Sequence, residues 1–69
     1  MQGASCYRLT IRGRLTDRLA SAFDGMRVEH AAGATVLVGP VADSAQLYGL
    51  INRIRDFGLE LVRVEEVRP

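Results

Sequence analysis

The stretch from Asp43 to Gly58, DSAQLYGLINRIRDFG, is typical of one amphipathic helix with a marked beginning and end. Asp43 suits the N-cap because its carboxylate can accept from N–H groups of the first turn, and Gln46 completes a capping-box spacing. Gly58 suits the left-handed position that follows a helix. The apolar stripe of this helix is Leu47, Leu50, Ile51, Ile54 and Phe57. The sequence therefore predicts a helix that needs a sheet or a second helix to cover one of its faces.

Gly49 is the one residue inside this helix that disfavours it. We expect Gly49 to permit close packing against a neighbouring strand or helix. A ligand contact through the gap is the alternative.

Four segments have the composition of β-strands. Cys6–Arg12 alternates, with Tyr7, Leu9 and Ile11 on one side, which is typical of a half-buried strand. A second strand alternates over residues 26–30, and a fourth covers residues 59–67. The third, over residues 35–38, is almost wholly apolar, which favours a central position, and Gly39-Pro40 is expected to end it.

A shorter helix is predicted over Asp17–Phe23, with Thr16 as its N-cap. The element order is then βαββαβ. With right-handed crossovers, this order gives an α+β fold of the ferredoxin-like, split βαβ plan. That plan is a four-stranded antiparallel sheet with both helices on one face and with the first and third strands at the centre. The helix stripe is predicted to pack on Leu9, Ile11, Val36 and Val38.

Over almost its whole length the chain resembles the ferredoxin-like superfold, including the ACT-type regulatory modules that bind amino acids. The segment VLVGPVADSAQLYGLINRIRDFGLELVRV is also similar to short, uncharacterised bacterial proteins. The ACT resemblance implies a ligand at a glycine-bearing turn between the first strand and the first helix, at a subunit interface. Gly13 lies at that position.

The chain is predicted to form a single domain over residues 1–69, with Met1–Ser5 as a flexible lead. A domain of this size buries only about 60% of its unfolded surface, so its stability as a monomer is marginal. A homodimer or a larger homo-oligomer is therefore expected. Cys6 is the only cysteine and permits no internal disulfide, which favours a reducing cytoplasm. No segment approaches the ~18–20 apolar residues of a membrane span, and no signal peptide is recognised.

The chain has few of the residue types that most often act in catalysis or metal binding. His30 is the only histidine and Cys6 the only thiol, so the sequence offers no metal-ligand cluster and no evident cofactor site. No phosphate-binding or dinucleotide-binding glycine pattern occurs. The sequence therefore predicts a protein that is not an enzyme, and it leaves the roles of Cys6 and His30 open.

The sheet face opposite the helices is the candidate functional surface. Alternation places on it Arg8, Thr10, Arg12, Arg27, Glu29, Thr35 and Leu37, and a fourth strand with Val62 and Val64 inward adds Leu61, Arg63 and Glu65. The residues predicted to form an interface are Arg8, Arg12, Leu37, Leu61 and Arg63.

We therefore expect a small non-enzymatic binding or regulatory accessory protein that self-associates through its sheet. An ACT-like module for a small-molecule effector, or an unidentified protein partner, is the alternative. Nucleic acid is disfavoured because the net charge is only +1 and the predicted face lacks the aromatic side chains on which bases stack.

Overall fold

The fold is α+β with the predicted ferredoxin-like βαββαβ arrangement. The computed structural model describes residues 5–23 and 25–67. Its elements are β1 (Ser5–Arg12), α1 (Asp17–Ala20), β2 (Arg27–Ala31), β3 (Ala34–Val41), α2 (Ser44–Asp56) and β4 (Glu60–Val67). The four-stranded sheet has the order β2-β3-β1-β4 and is antiparallel throughout, so the first and third strands are central as predicted. Of the predicted lead Met1–Ser5, only Ser5 lies within the described residues, and it begins β1.

Helix α2 confirms the prediction at both ends. The Asp43 carboxylate accepts from the Gln46 N–H at 2.8 Å, and the Gln46 side-chain oxygen accepts from the Ala42 N–H at 2.7 Å. The first bond satisfies a donor that the helix N-terminus leaves without a partner, and the second holds the residue that precedes the N-cap. Gly58 follows the helix with φ +73°, the left-handed conformation expected there.

Helix α1 is shorter than the predicted Asp17–Phe23. Thr16 caps it as expected, with its hydroxyl accepting from the Leu19 N–H at 3.3 Å. After Ala20 the backbone switches to tighter turns, because the N–H groups of Ala22 and Phe23 each donate to a carbonyl three residues back. This tightening lets Phe23 enter the core immediately after a single helical turn, where it is 1% exposed.

The core lies between the sheet and the two helices. It contains Leu9, Ile11, Leu15, Phe23, Leu37 and Ile54. Ile54 is the only fully buried residue of α2, whereas Leu47, Leu50 and Ile51 pack against the core while only partly buried. Phe57, the last residue of the predicted stripe, contacts the Phe23 ring edge-on at 6.0 Å between centroids.

The register of β3 differs from the prediction. Leu37 pairs directly with Leu9, and directly paired residues of antiparallel strands point to the same side of a sheet. Leu37 and Thr35 are therefore on the helix side, each 0% exposed, and their prediction on the opposite face was wrong. Val36 and Val38 consequently lie on the face away from the helices rather than beneath α2.

Thr35 explains this register. Its hydroxyl accepts from the Leu15 N–H at 3.0 Å and donates to the Gly13 carbonyl at 2.9 Å. The side chain therefore satisfies two backbone groups of the segment between β1 and α1, at a position closed to water. An alternation argument cannot detect this role, because it treats threonine as a surface residue.

The register of β4 changes within the strand. Arg63 pairs with Thr10 and Leu61 pairs with Ile11, so Val62 is the extra residue of a β-bulge. Leu61 and Val64 both face the helix side as a result. The prediction that Leu61 lies on the opposite face was wrong, because the bulge breaks the strict alternation on which it depended.

Gly39 and Gly49 have opposite surroundings. Strand β3 continues through Gly39-Pro40 to Val41, so the predicted end of the strand was wrong. A Cβ at Gly39 would lie 2.6 Å from the Met26 sulfur and 2.8 Å from the Gly25 carbonyl oxygen. A Cβ at Gly49 would meet no atom within 4 Å, so the expected close packing at Gly49 is also wrong.

This contrast gives a paired prediction. Gly39→Ala is expected to lower the free energy of unfolding by about 1–3 kcal/mol, because the Gly25 backbone must move to admit a methyl group. Gly49→Ala is expected to raise it by about 0.5–1 kcal/mol, because alanine favours the helix and fits in open space. Urea denaturation of both variants measures the two effects, and changes of the same sign would contradict these surroundings.

Candidate interface on the open sheet face

The side of the sheet opposite the helices is called here the open face. Both helices pack on the Leu9 side, and no other element of the described residues lies over the open face. The pairing places on it Cys6, Arg8, Thr10 and Arg12 of β1, Ala34, Val36, Val38 and Pro40 of β3, Arg27, Glu29 and Ala31 of β2, and Glu60, Arg63, Glu65 and Val67 of β4. The open face is therefore built from every strand.

Two valines lie near its centre. Val36 and Val38 are half-buried beside Thr10 and Arg8 of β1, although no helix covers them. Valines on the uncovered side of a central strand contribute little to the core of a single copy. They instead provide apolar area that a partner can bury.

Charges of both signs surround the two valines, and most of these charges are already paired within the chain. Arg12 lies 3.1 Å from Glu60, and Arg27 lies 3.0 Å from Glu29. Arg8 and Glu65 are farther apart at 3.7 Å. Such exposed pairs stabilise a monomer by about 0–1 kcal/mol each. Among residues 5–23 and 25–67, Arg63 forms no ion pair.

Of the residues predicted to form the interface, Arg8, Arg12 and Arg63 lie on the open face, while Leu37 and Leu61 lie on the opposite side. The sequence analysis did not place Val36, Val38 and Glu60 on the open face. The run from Thr35 to Val38 is apolar on both of its faces, so one set of apolar side chains had to lie away from the helices. The sequence therefore indicates that apolar side chains lie on both faces of β3. It does not indicate which of them lie on the helix side.

The aromatic residues all lie elsewhere. Tyr7 pairs with Gly39 on the helix side and packs against the core, as Phe23 does. Phe57 follows α2, and Tyr48 lies on that helix and is 63% exposed. The open face therefore presents no ring on which a nucleic-acid base could stack.

The chain matches a known protein family. A domain of unknown function, DUF8691, matches residues 6–65. The chain belongs to this family. The match runs from the second residue of β1 to Glu65 in β4, so it includes the central part of the open face. Comparisons with curated proteins and with solved structures gave no match.

An open cleft of about 360 Å³ lies within the region that this family match covers. It is lined by Gly13, Arg14, His30, Ala31, Gly33 and Ala34. Arg14 and His30 are exposed, and neither side chain forms a hydrogen bond or ion pair with another described residue. Two of the lining residues are joined by a backbone hydrogen bond, which the Gly13 N–H donates to the Gly33 carbonyl at 2.9 Å. The cleft presents the Arg14 guanidinium and the His30 imidazole to solvent.

Residues with catalytic or metal-binding chemistry are not brought together. Cys6 is a free thiol on β1, opposite Pro40 and Val67, while His30 is on β2 at the other side of the sheet. Within residues 5–23 and 25–67, no three His, Cys, Asp or Glu side chains are grouped so that they could hold a metal ion. In the same residues, no helix has the length and apolarity needed to cross a bilayer.

Proposed function

We propose that this chain is a small non-enzymatic binding or regulatory accessory protein that self-associates through the open face of its sheet. The observation that carries the proposal is the apolar pair Val36 and Val38 on the uncovered side of a central strand, with charges of both signs around it. The free thiol of Cys6 fits a reducing cytoplasm.

The size of the open face suits a reversible association. Strands about 4.8 Å apart, with up to about eight residues at about 3.3 Å each, give a face of roughly 19 by 26 Å. Two copies in contact would then bury about 1,000 Å² in total, near the lower limit for a specific interface. We therefore expect a dimer whose population depends on concentration.

Val36→Glu tests the proposal. A carboxylate at position 36 would lose its water in the dimer beside Thr10, which carries no charge to compensate it, while Arg8 lies beside Val38 and is already near Glu65. Analytical ultracentrifugation should show at least about tenfold weaker self-association than for the unmodified protein, since one uncompensated buried charge costs several kcal/mol.

The matched control is Tyr48→Glu, which introduces the same charge at an exposed position of α2 on the other side of the molecule. This variant should associate as the unmodified protein does. Circular dichroism establishes that both variants are folded. Equal association by Val36→Glu and Tyr48→Glu would exclude the open face as the interface.

The cleft beside Gly13 supports a second candidate, an ACT-like module for a small anionic effector. Arg14 and His30 would supply the groups that recognise a carboxylate or a phosphate. This candidate needs no contact through Val36 or Val38. A protein that stays monomeric at every concentration would favour it over self-association.

A further inference from the structure

The two central rows of the open face carry opposite charges at their ends. We define the upper row as Glu29, Val36, Thr10 and Arg63, which lie side by side across the sheet. The lower row is Arg27, Val38, Arg8 and Glu65. The upper row is thus negative at the β2 edge and positive at the β4 edge, and the lower row is the reverse.

This pattern is complementary to itself. We infer that two copies pack face to face about a two-fold axis that is parallel to the strands and lies between β1 and β3. This inference rests on the self-association proposed above. Such an axis places β2 of one copy over β4 of the other and each row over the same row. Glu29 then faces Arg63 of the partner subunit, and Arg27 faces Glu65 of the partner subunit.

The proposed charge pairs can form even though real sheets are twisted. Aligned sheets pack with their strands rotated by about 30°, and β2 lies about 7 Å from the proposed axis. The rotation therefore displaces the facing edge residues by only about 4 Å, which arginine and glutamate side chains can span. The upper and lower rows are the middle of the face, where this displacement is smallest.

A two-fold axis across the strands is the other possible arrangement, and it would also match charges, with Glu29 facing Arg27 of the partner subunit. The exposed Arg12–Glu60 pair lies over apolar side chains in either arrangement. The two axes differ in which charged residues face each other, and a charge exchange separates them.

The experiment is a charge exchange between Glu29 and Arg63. Either single variant, Glu29→Arg or Arg63→Glu, places like charges opposite each other at two symmetric sites. Each variant alone should self-associate about tenfold more weakly than the unmodified protein. The double variant restores opposite charges at both sites, so its association should return to within about threefold of the unmodified protein.

Mixing provides an independent readout. Glu29→Arg and Arg63→Glu chains, mixed in equal amounts, should form a heterodimer, which native mass spectrometry can distinguish by mass. Circular dichroism of each variant shows that the mutated chains remain folded. A heterodimer formed while both single variants stay weak supports the proposed axis.

Two failures have different meanings. If the unmodified protein dimerises but the double variant stays as weak as the single variants, the axis is wrong and self-association through the open face stands. The axis across the strands predicts that result, because it sets the arginine introduced by Glu29→Arg against Arg27 of the partner subunit. If the unmodified protein never dimerises, the proposed function fails and the arrangement fails with it.

Discussion

Ile54→Ala is expected to lower the free energy of unfolding by about 2–5 kcal/mol. Ile54 is 0% exposed and is the only fully buried residue of α2, at the point where that helix packs on Leu9, Ile11 and Leu37. Removing its side-chain atoms leaves a cavity that a small, closely packed core can only partly close. A domain of this size has a total stability of roughly 3–10 kcal/mol, so the variant is expected to be largely unfolded near 37 °C.

Two other positions of the same helix serve as controls in thermal and urea denaturation. Leu50 is only partly buried, so Leu50→Ala should cost less than Ile54→Ala. Tyr48 is 63% exposed, and Tyr48→Ala should change stability by less than about 0.5 kcal/mol. A melting curve of Ile54→Ala that matches that of Tyr48→Ala would contradict the packing of α2 described here.

Thr35→Val is the second substitution with a large expected effect. Valine has nearly the shape of threonine, so the change removes the hydroxyl and leaves the packing almost intact. The buried Leu15 N–H and the part-buried Gly13 carbonyl then lose their partner. A fully buried group left without a partner costs about 1–3 kcal/mol and a part-buried group costs less, so the variant should lose about 2–4 kcal/mol of stability.

The controls separate the hydroxyl from the rest of the side chain. Thr35→Ser keeps the hydrogen bonds and loses one methyl group, so it should remain closer to the unmodified protein, at a cost of about 1 kcal/mol. Thr10→Val makes the same change on the open face, where no hydrogen bond of Thr10 is lost, and should shift stability by less than about 0.5 kcal/mol. Urea denaturation at one low, fixed protein concentration, at which the proposed dimer is dissociated, compares all three. Equal stability of Thr35→Val and Thr10→Val would contradict the anchoring role of Thr35.

The elements themselves could be predicted because their determinants are local. Asp43, Gln46 and Gly58 set the ends of α2 through hydrogen bonds and backbone geometry within a few residues. The alternation of β1 and the order of the elements led to the correct fold class and to the correct central strands. These features need no knowledge of which residues meet across the sheet.

Which side chains share a face could be predicted only in part, because the determinants are tertiary. The apolar run of β3 carries no alternation, so its register depends on the bonds that Thr35 makes to residues about twenty positions earlier. The bulge at Val62 reverses the direction of Leu61 relative to strict alternation. The positions of Arg8 and Arg12 on the open face were predicted correctly because β1 alternates clearly. Those of Val36 and Val38 were not, because these two valines were assigned to the helix side.

The measurement that tests self-association most directly is the mass of the unmodified protein in solution. Light scattering over about a hundredfold range of concentration should show the weight-average mass rising from near 7.6 kDa toward twice that value. A mass that stays at 7.6 kDa up to about 1 mM protein would contradict the account.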